Sequence, residues 1–262
     1  TSVLNPLEVE QLFCTLKKLA SEGTSILYIS HKLNEVKELC EKATVLRNGK
    51  VVETCITNDF SASELAELMV GSTVKNTVKD GGEHGEVILK IQNLYQDSQD
   101  SYGTSIKNLS LEIRSGQILG IGGVAGNGQE ELMASLSGEQ RPKKGKIFYN
   151  GRLINNLNAE ERRALGIFSA PEERLGHASC PEMKLSENVL ITCANTAKLT
   201  KYGLIQKRLT ENLTTKIISE FDVRTSGTSA LASSLSGGNL QKFVVGRELL
   251  QNPKLLIINQ PT

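Results

Sequence analysis

The chain has 262 residues, 39% of them hydrophobic and 23% charged, with 30 Lys and Arg against 29 Asp and Glu. That content supports one large domain or parts of two and excludes wholesale disorder, and the balanced charge leaves no global field for nucleic acid or anionic lipid. No apolar run approaches the ~18–20 residues of a membrane span; no secretory leader is visible, and the absence of an initiator Met suggests a fragment.

Asn5-Pro6-Leu7-Glu8 reads as a helix start, with Asn5 as cap and Pro6 at the first helical position. Val9, Leu12, Phe13, Leu16 and Leu19 then recur on one face, which predicts an amphipathic helix over 6–21, ended by Gly23. Residues 24–30 (TSILYIS) form a nearly continuous apolar, β-branched run, expected to be a buried parallel strand with His31 at its carboxyl end. A helix over 32–41 follows. Residues 43–53 read as a hairpin turning at Asn48-Gly49, and 61–70 as a short helix.

Residues 71–86 (GSTVKNTVKDGGEHGE) are polar and glycine-bearing, and read as a linker. A second domain is expected from Val87, with strands over 87–93, 106–113 and 117–121. A helix over 129–136 and an Asn150-Gly151 hairpin within 146–154 follow, then a strand over 166–170. Residues 172–232 are mostly helical in pattern. A helix after Ser236 and a strand over 254–259 complete the chain.

Residues 123–130 (GVAGNGQE) keep the glycine spacing of a phosphate-binding loop through Gly123 and Gly128. Gln129 stands where that pattern has Lys, and Glu130 where it has Ser or Thr. Lys would bring positive charge to the β- and γ-phosphates, and the hydroxyl would hold Mg²⁺. Gln129 donates a hydrogen bond without charge, and Glu130 turns a carboxylate towards a polyphosphate, a cost that ligating metal could partly offset. The loop is therefore a nucleotide-binding scaffold without its chemistry, or a glycine-rich turn with no ligand. The five cysteines show no C-x-x-C pair and no His at zinc spacing, so no metal site is expected and the thiols read as free in a reducing cytosol.

Residues 235–239 (LSGGN) precede a helix rich in Arg and Leu and then an apolar strand ending in Asn259-Gln260-Pro261-Thr262. This order resembles the ATP-binding cassette of ABC transporters: P-loop, Q-loop, LSGG signature, Walker B strand. Residues 171–190 (PEERLGHASCPEMKLSENVL), LSGGNLQKFVVGREL and INQPT are most similar to the duplicated-cassette ATPase of bacterial sugar and nucleoside importers, whose second cassette is degenerate. The resemblance covers essentially the whole chain.

The resemblance implies an α/β, P-loop NTPase fold in 87–262: a RecA-like parallel sheet, an antiparallel β lobe and a helical lobe. It implies that residues 1–70 are the remainder of a first cassette, so that the chain runs from just after one Walker B motif to the end of the next. By the same resemblance, His31 is a catalytic switch histidine at the γ-phosphate. Tyr102, which lies 27 residues before Gln129, is the aromatic that stacks on adenine, or else a surface tyrosine. Gly123, Gly126, Asn127, Gly128 and Gln129 line the silent phosphate loop. Asn259 and Gln260 replace the Asp that holds Mg²⁺ and the Glu that polarises water, and losing such a base costs ~10²–10⁴ in rate. Ser236, Gly237 and Gly238 serve the opposite cassette's nucleotide, the helix tip stabilising anionic charge; Ser236 also reads as a plain helix cap. Glu172 and Glu173 fall near the Q-loop, to couple nucleotide to the membrane partner or to cap a helix after Pro171. His84 and His177 have no comparable setting.

The implied function is ATP-driven import of a simple sugar or nucleoside, with ATP and Mg²⁺ as cofactors of the complete protein and no turnover by this chain alone. The implied partners are integral membrane permease subunits, met by the helical lobe and residues 170–176, an extracytoplasmic substrate-binding protein, and the other cassette. The implied location is peripheral, at the cytoplasmic face of the inner membrane, with no nucleic-acid partner. A soluble twin-cassette protein acting on ribosomes or DNA repair lacks the basic linker expected of it. A regulatory nucleotide-binding module is a further alternative.

Overall fold

The computed structural model of the protein describes residues 6–47, 49–71, 84–99, 103–124 and 126–261. Two units are separate by contact, Thr1–Gly82 and Glu83–Thr262. The first holds α1 (Pro6–Ser21), α2 (Leu33–Leu39), the hairpin β1 (Lys42–Arg47) and β2 (Lys50–Ile56), and α3 (Ala62–Val70). The hairpin pairs Arg47 with Lys50, and Gly49 has φ 73°, a left-handed turn position that suits glycine. Asn48, like the expected cap Asn5, lies outside the described residues. Val45, Cys55 and Leu65 are buried together, with Leu33, Val52 and Phe60 against them.

α3 has a reciprocal cap. The Ser61 hydroxyl accepts from Glu64 N at 3.2 Å, and the Glu64 carboxylate accepts from Ser61 N at 2.7 Å. The bond from the Ser61 backbone holds the Glu64 carboxyl below the usual carboxylate range.

Residues 24–30 do not form the expected strand. Leu27 is 88% exposed and Ile29 87%. A parallel strand requires a neighbouring strand to hydrogen-bond, and among the described residues of this unit the only paired strands are those of the antiparallel hairpin. Tyr28 is held instead by its own side chain, which donates to Glu35 Oε2 at 2.6 Å and meets Phe13 edge-on, the ring centroids 6.2 Å apart.

The second unit opens with β3 (Val87–Gln96) and β4 (Ile106–Arg114). Then come α4 (Gln129–Ser137), β5 (Lys144–Tyr149), β6 (Arg152–Leu153), α5 (Ala159–Ala164) and β7 (Ile167–Ala170). α6 (Leu185–Cys193), the small hairpin β8 (Thr200–Lys201) and β9 (Leu204–Ile205), α7 (Lys207–Glu220), α8 (Gly237–Leu249) and β10 (Leu255–Ile258) complete it. The antiparallel lobe has strand order β4-β3-β5-β6, and β7 pairs with β10 in parallel. The β5–β6 turn has φ 46° at Asn150 and 75° at Gly151, the two left-handed residues of the turn that Asn-Gly favours.

Leu89, Ile91, Ile147, Ile167 and Leu255 bring the antiparallel lobe, β7 and β10 into one core. Leu185, Val189, Ile217, Leu240, Phe243 and Val244 form another inside the helical lobe. Each such side chain stabilises the fold by about 1.5–3 kcal/mol on burial. The span 172–232 is less helical than its pattern suggests, since β8 and β9 interrupt it.

Residues 117–121 also fail to pair, and Ile118 is 98% exposed. Among the described residues, β10 is hydrogen-bonded to β7 alone, so no strand stands beside this apolar run. No described helix is long and apolar enough to cross a membrane.

Two buried polar knots fix this unit. The fully buried Arg162 guanidinium donates to the carbonyls of Ser135 and Leu136 at 2.5 and 2.9 Å, to Ile154 O at 2.9 Å and to Leu157 O at 3.1 Å. It thereby satisfies the orphan carbonyls at the end of α4, and burial pulls its pKa down to about 10. Glu248, fully buried on α8, joins Arg247 Nε at 2.9 Å and Arg163 of α5 at 2.7 Å. Arg163 also stacks over Phe168 of β7, 4.7 Å from the ring centroid.

Candidate functional site

The 123–130 loop leads into α4, with Gly128 at the cap position and no side chain capping it. Gly126 and Gly128 have φ of 81° and 101°, left-handed values that other residues adopt only with strain. A Cβ at 128 would meet Ile106 in ordinary contact at 3.4 Å, so the backbone angle rather than space calls for glycine there. The glycine pattern therefore builds the expected turn. A P-loop presents backbone N–H groups to an anion. Here Gln129 folds back into that space: its Oε1 accepts from Asn127 N at 2.8 Å, and its Nε2 donates to Val124 O at 3.0 Å. The Asn127 amide donates to the same carbonyl at 3.0 Å. A Cβ on Gly123 would stand 2.9 Å from Gln129 Nε2. Gln129 thus bridges its own loop from Asn127 N to Val124 O.

The surroundings oppose an anion. A cavity of about 270 Å³ beside α4 is lined by Glu130, Glu131, Glu139, Glu172 and Glu173, together with Asn259. Glu131 is 9% exposed. No Lys or Arg lines the cavity, and His177 is tied to Glu139 at 2.9 Å. Among the described residues no group of three or more His, Cys, Asp or Glu is arranged to hold a metal ion. The loop and its surroundings do not fit Mg²⁺-bound ATP.

Asn259 N donates to Ala170 O at 3.0 Å, extending the β7–β10 pairing by one residue. Gln260 turns left-handed, φ 45°, and its Nε2 donates to Glu172 Oε2 at 2.8 Å. No helix follows Pro171, since α6 begins at Leu185, so Glu172 and Glu173 cap nothing there; Glu172 is engaged by Gln260 instead.

The tip of α8 is open. Ser236 occupies the cap position, but its side chain accepts no backbone N–H; its Oγ accepts from Asn239 Nδ2 at 2.9 Å. Ser236 is therefore the cap residue by position, with its carbonyl accepting from Leu240 N at 2.9 Å, but not through its side chain, whose oxygen is taken by Asn239. Ser236, Gly237 and Gly238 are exposed, and nothing lies within 4 Å of a Cβ built on Gly238. The first N–H groups of a helix carry partial positive charge and suit a phosphate oxygen.

Within this unit the loop helix, Asn259 and Glu172 line one cavity, while Ser236–Gly238 form a separate tip. His31 is an exposed residue of the first unit. Tyr102 lies outside the described residues. Sequence reasoning did not single out Arg174 and Gln241, which meet at 2.6 Å, Arg174 Nε donating to Gln241 Oε1. The run of charges at 172–174 was the available signal, but the partner is 67 residues away.

The ABC transporter family matches residues 106–262, more than half of the chain. The whole chain is 37% identical to the nucleoside import ATP-binding protein NupA of Lactococcus lactis subsp. cremoris, over 52% of that protein. It is 38% identical to the guanosine import ATP-binding protein NupO of Bacillus subtilis, over 51% of it. It is 32% identical to the ribose import ATP-binding protein RbsA of Clostridium tetani, also over 51%. The chain thus spans about half the length of the curated relatives it matches. A nucleotide-free ATP-binding cassette superposes with a TM-score of 0.52 at 22% identity, covering 68% of this chain and 70% of that one. A dimeric cassette bound to ADP and Pi gives 0.53 at 18% identity, covering 67% and 75%. The fold is that of an ABC cassette.

Proposed function

Because the chain belongs to the ABC transporter family, we propose that it is part of an ATP-binding subunit that powers import of a simple sugar or nucleoside. Residues 1–70 act as the end of a first cassette, 71–86 as linker, and 87–262 as a second, degenerate cassette. Fuel is consumed at a composite site to which this chain lends Ser236, Gly237 and Gly238 and, as a γ-phosphate sensor, His31. The second site keeps the loop of Gly123, Gly126, Asn127, Gly128 and Gln129, with Asn259 and Gln260 at the Walker B positions, and stays silent. Tyr102 stands at the adenine-stacking position of that site, which keeps the place without the chemistry. ATP and Mg²⁺ serve the complete protein, which sits at the cytoplasmic face of the membrane on permease subunits fed by an extracytoplasmic binding protein.

The observation that carries this reading is the contrast between the two phosphate-facing elements. Gln129 bonds across its own loop at 2.8 and 3.0 Å, whereas Ser236, Gly237 and Gly238 at the α8 tip are exposed and nothing lies within 4 Å of a Cβ built on Gly238. The relatives, which are import proteins for nucleosides, guanosine and ribose, support the cargo class. Co-purification of the full-length protein with an integral membrane permease is the test, together with ATPase assays of His31→Ala and Ser236→Ala. Both variants are expected to lose turnover, while Asn259→Ala retains it. Recovery with ribosomes and no permease would overturn the proposal.

A further inference from the structure

Arg174 occupies a place that the stability of α8 does not explain. Its guanidinium lies against the amino-terminal end of that helix: a Cβ on Gly237 would stand 3.2 Å from Nη1. A cation at the positive end of a helix macrodipole has the wrong sign for stability. The position is nonetheless well fixed. Arg174 Nε donates to Gln241 Oε1 at 2.6 Å, and Ser179 Oγ donates to the Arg174 carbonyl at 2.5 Å. Among the described residues Arg174 forms no ion pair.

Gln241 adds an independent anomaly. It is 7% exposed, and its Nε2 is buried without a hydrogen-bond partner. Buried donors are normally satisfied. Gln241 lies four residues after Gly237, hence on the same face of α8, and helical side chains lean towards the amino terminus. Its amide head, bonded through Oε1 to Arg174 Nε, therefore lies beside the guanidinium at that end of the helix. A cation of the wrong sign and an orphan donor at one helix tip, beside a Ser236 hydroxyl that accepts from Asn239 and keeps its proton to donate, share one remedy, a bound anion.

We infer that Arg174 is an anion-binding residue of the α8 tip, held in place by Gln241, and that its ligand is a phosphate group also contacted by Ser236 and the backbone of Gly237 and Gly238. That this phosphate is the terminal one of ATP, held by the other cassette, rests on the proposed function. A Cβ at 237 would stand 3.2 Å from Nη1, so a side chain there would shift the guanidinium by a few tenths of an ångström. Glu172, two residues earlier, is anchored to Gln260 at 2.8 Å, so one short segment links the silent site to the working tip.

The test measures binding of ATP, ADP and inorganic phosphate to the full-length protein without turnover, for wild type, Arg174→Gln, Arg174→Lys and Ser236→Ala, with melting curves as the folding control. Arg174→Gln is expected to weaken ATP about 10–100-fold, the range of a charged hydrogen bond, and to leave ADP unchanged. Arg174→Lys should keep most of the ATP preference. Equal ATP binding by wild type and a folded Arg174→Gln, with Ser236→Ala impaired, would overturn the role of Arg174 alone. Equal loss in the Lys and Gln variants would make Arg174 a tether for Gln241 and overturn the charge role. Wild type with no preference for ATP over ADP would overturn the composite-site reading itself. Arg174-dependent binding of inorganic phosphate without an ATP effect would reassign the tip to free phosphate.

Discussion

Gln260 Nε2 donates to Glu172 Oε2 at 2.8 Å, so an amide and a carboxylate face each other at the end of β10. Gln260→Glu would turn this bond into two close carboxylates, which cannot both ionise freely. One carboxyl of the pair is expected to titrate well above the ordinary range, as a ¹³C NMR titration would show. Gln260→Glu combined with Glu172→Gln restores a neutral–charged pair and should titrate normally. Ordinary titration of both carboxyls in the single variant would mean that the contact does not persist in solution.

Gln129 fills the loop, so changing it alone should give little. We predict that Gln129→Lys strengthens ATP binding to this site by no more than roughly tenfold, because Glu130 remains. With Glu130→Thr added, the gain should reach on the order of 100-fold, through charged hydrogen bonds of about 1.5–3 kcal/mol. Titration with a fluorescent nucleotide reads both. Tight binding to the unaltered loop would contradict the closure seen between Gln129 and Asn127.

Arg162 is fully buried, and its guanidinium donates to four carbonyls. Arg162→Met fills similar space but leaves those acceptors without a donor. A loss of about 3–5 kcal/mol is expected, with a fall in melting temperature on the order of 10 °C. A near-neutral result would mean that water replaces the guanidinium.

Glu248 is the only carboxylate in a buried group with Arg163 and Arg247 among the described residues. Glu248→Gln removes the counter-charge of both and should cost about 3–5 kcal/mol, whereas replacing all three by apolar residues should cost less. Denaturant unfolding of the single and triple variants decides it. If the triple variant loses as much as the sum of its parts, the three do not act as a unit.

Cys14 is exposed, while Cys193 is fully buried and desolvation pushes its thiol pKa up to about 12. At mildly alkaline pH, iodoacetamide should label Cys14 rapidly and Cys193 only on unfolding. The sign of the linkage follows from the raised value. Stability from the neutral buried thiol is complete below the ordinary thiol pKa of about 8.5 and declines as pH rises towards 12, because only the unfolded chain ionises there. Cys193→Ala should flatten that decline; fast labelling of native Cys193 would refute it.

Local chemistry was legible in the sequence. Asn150-Gly151 gave the hairpin because both residues accept left-handed backbone, and Gly126 and Gly128 gave the loop for the same reason. The strands at 24–30 and 117–121 were misread because an apolar run records an appetite for a neighbour without saying whether one is there. Leu27 and Ile118 are exposed because none of the described strands pairs with either run. In the site, the missing Lys at 129 was visible, but its replacement's return to Asn127 was not. The contacts between Glu172 and Gln260, 88 residues apart, and between Arg174 and Gln241 depend on tertiary placement that no local pattern encodes.

Gln129 behaves as a built-in brace, tied at one end to Asn127 N and at the other to Val124 O. The turn between Val124 and Asn127 is therefore braced from within, by a side chain of the helix that the loop itself opens.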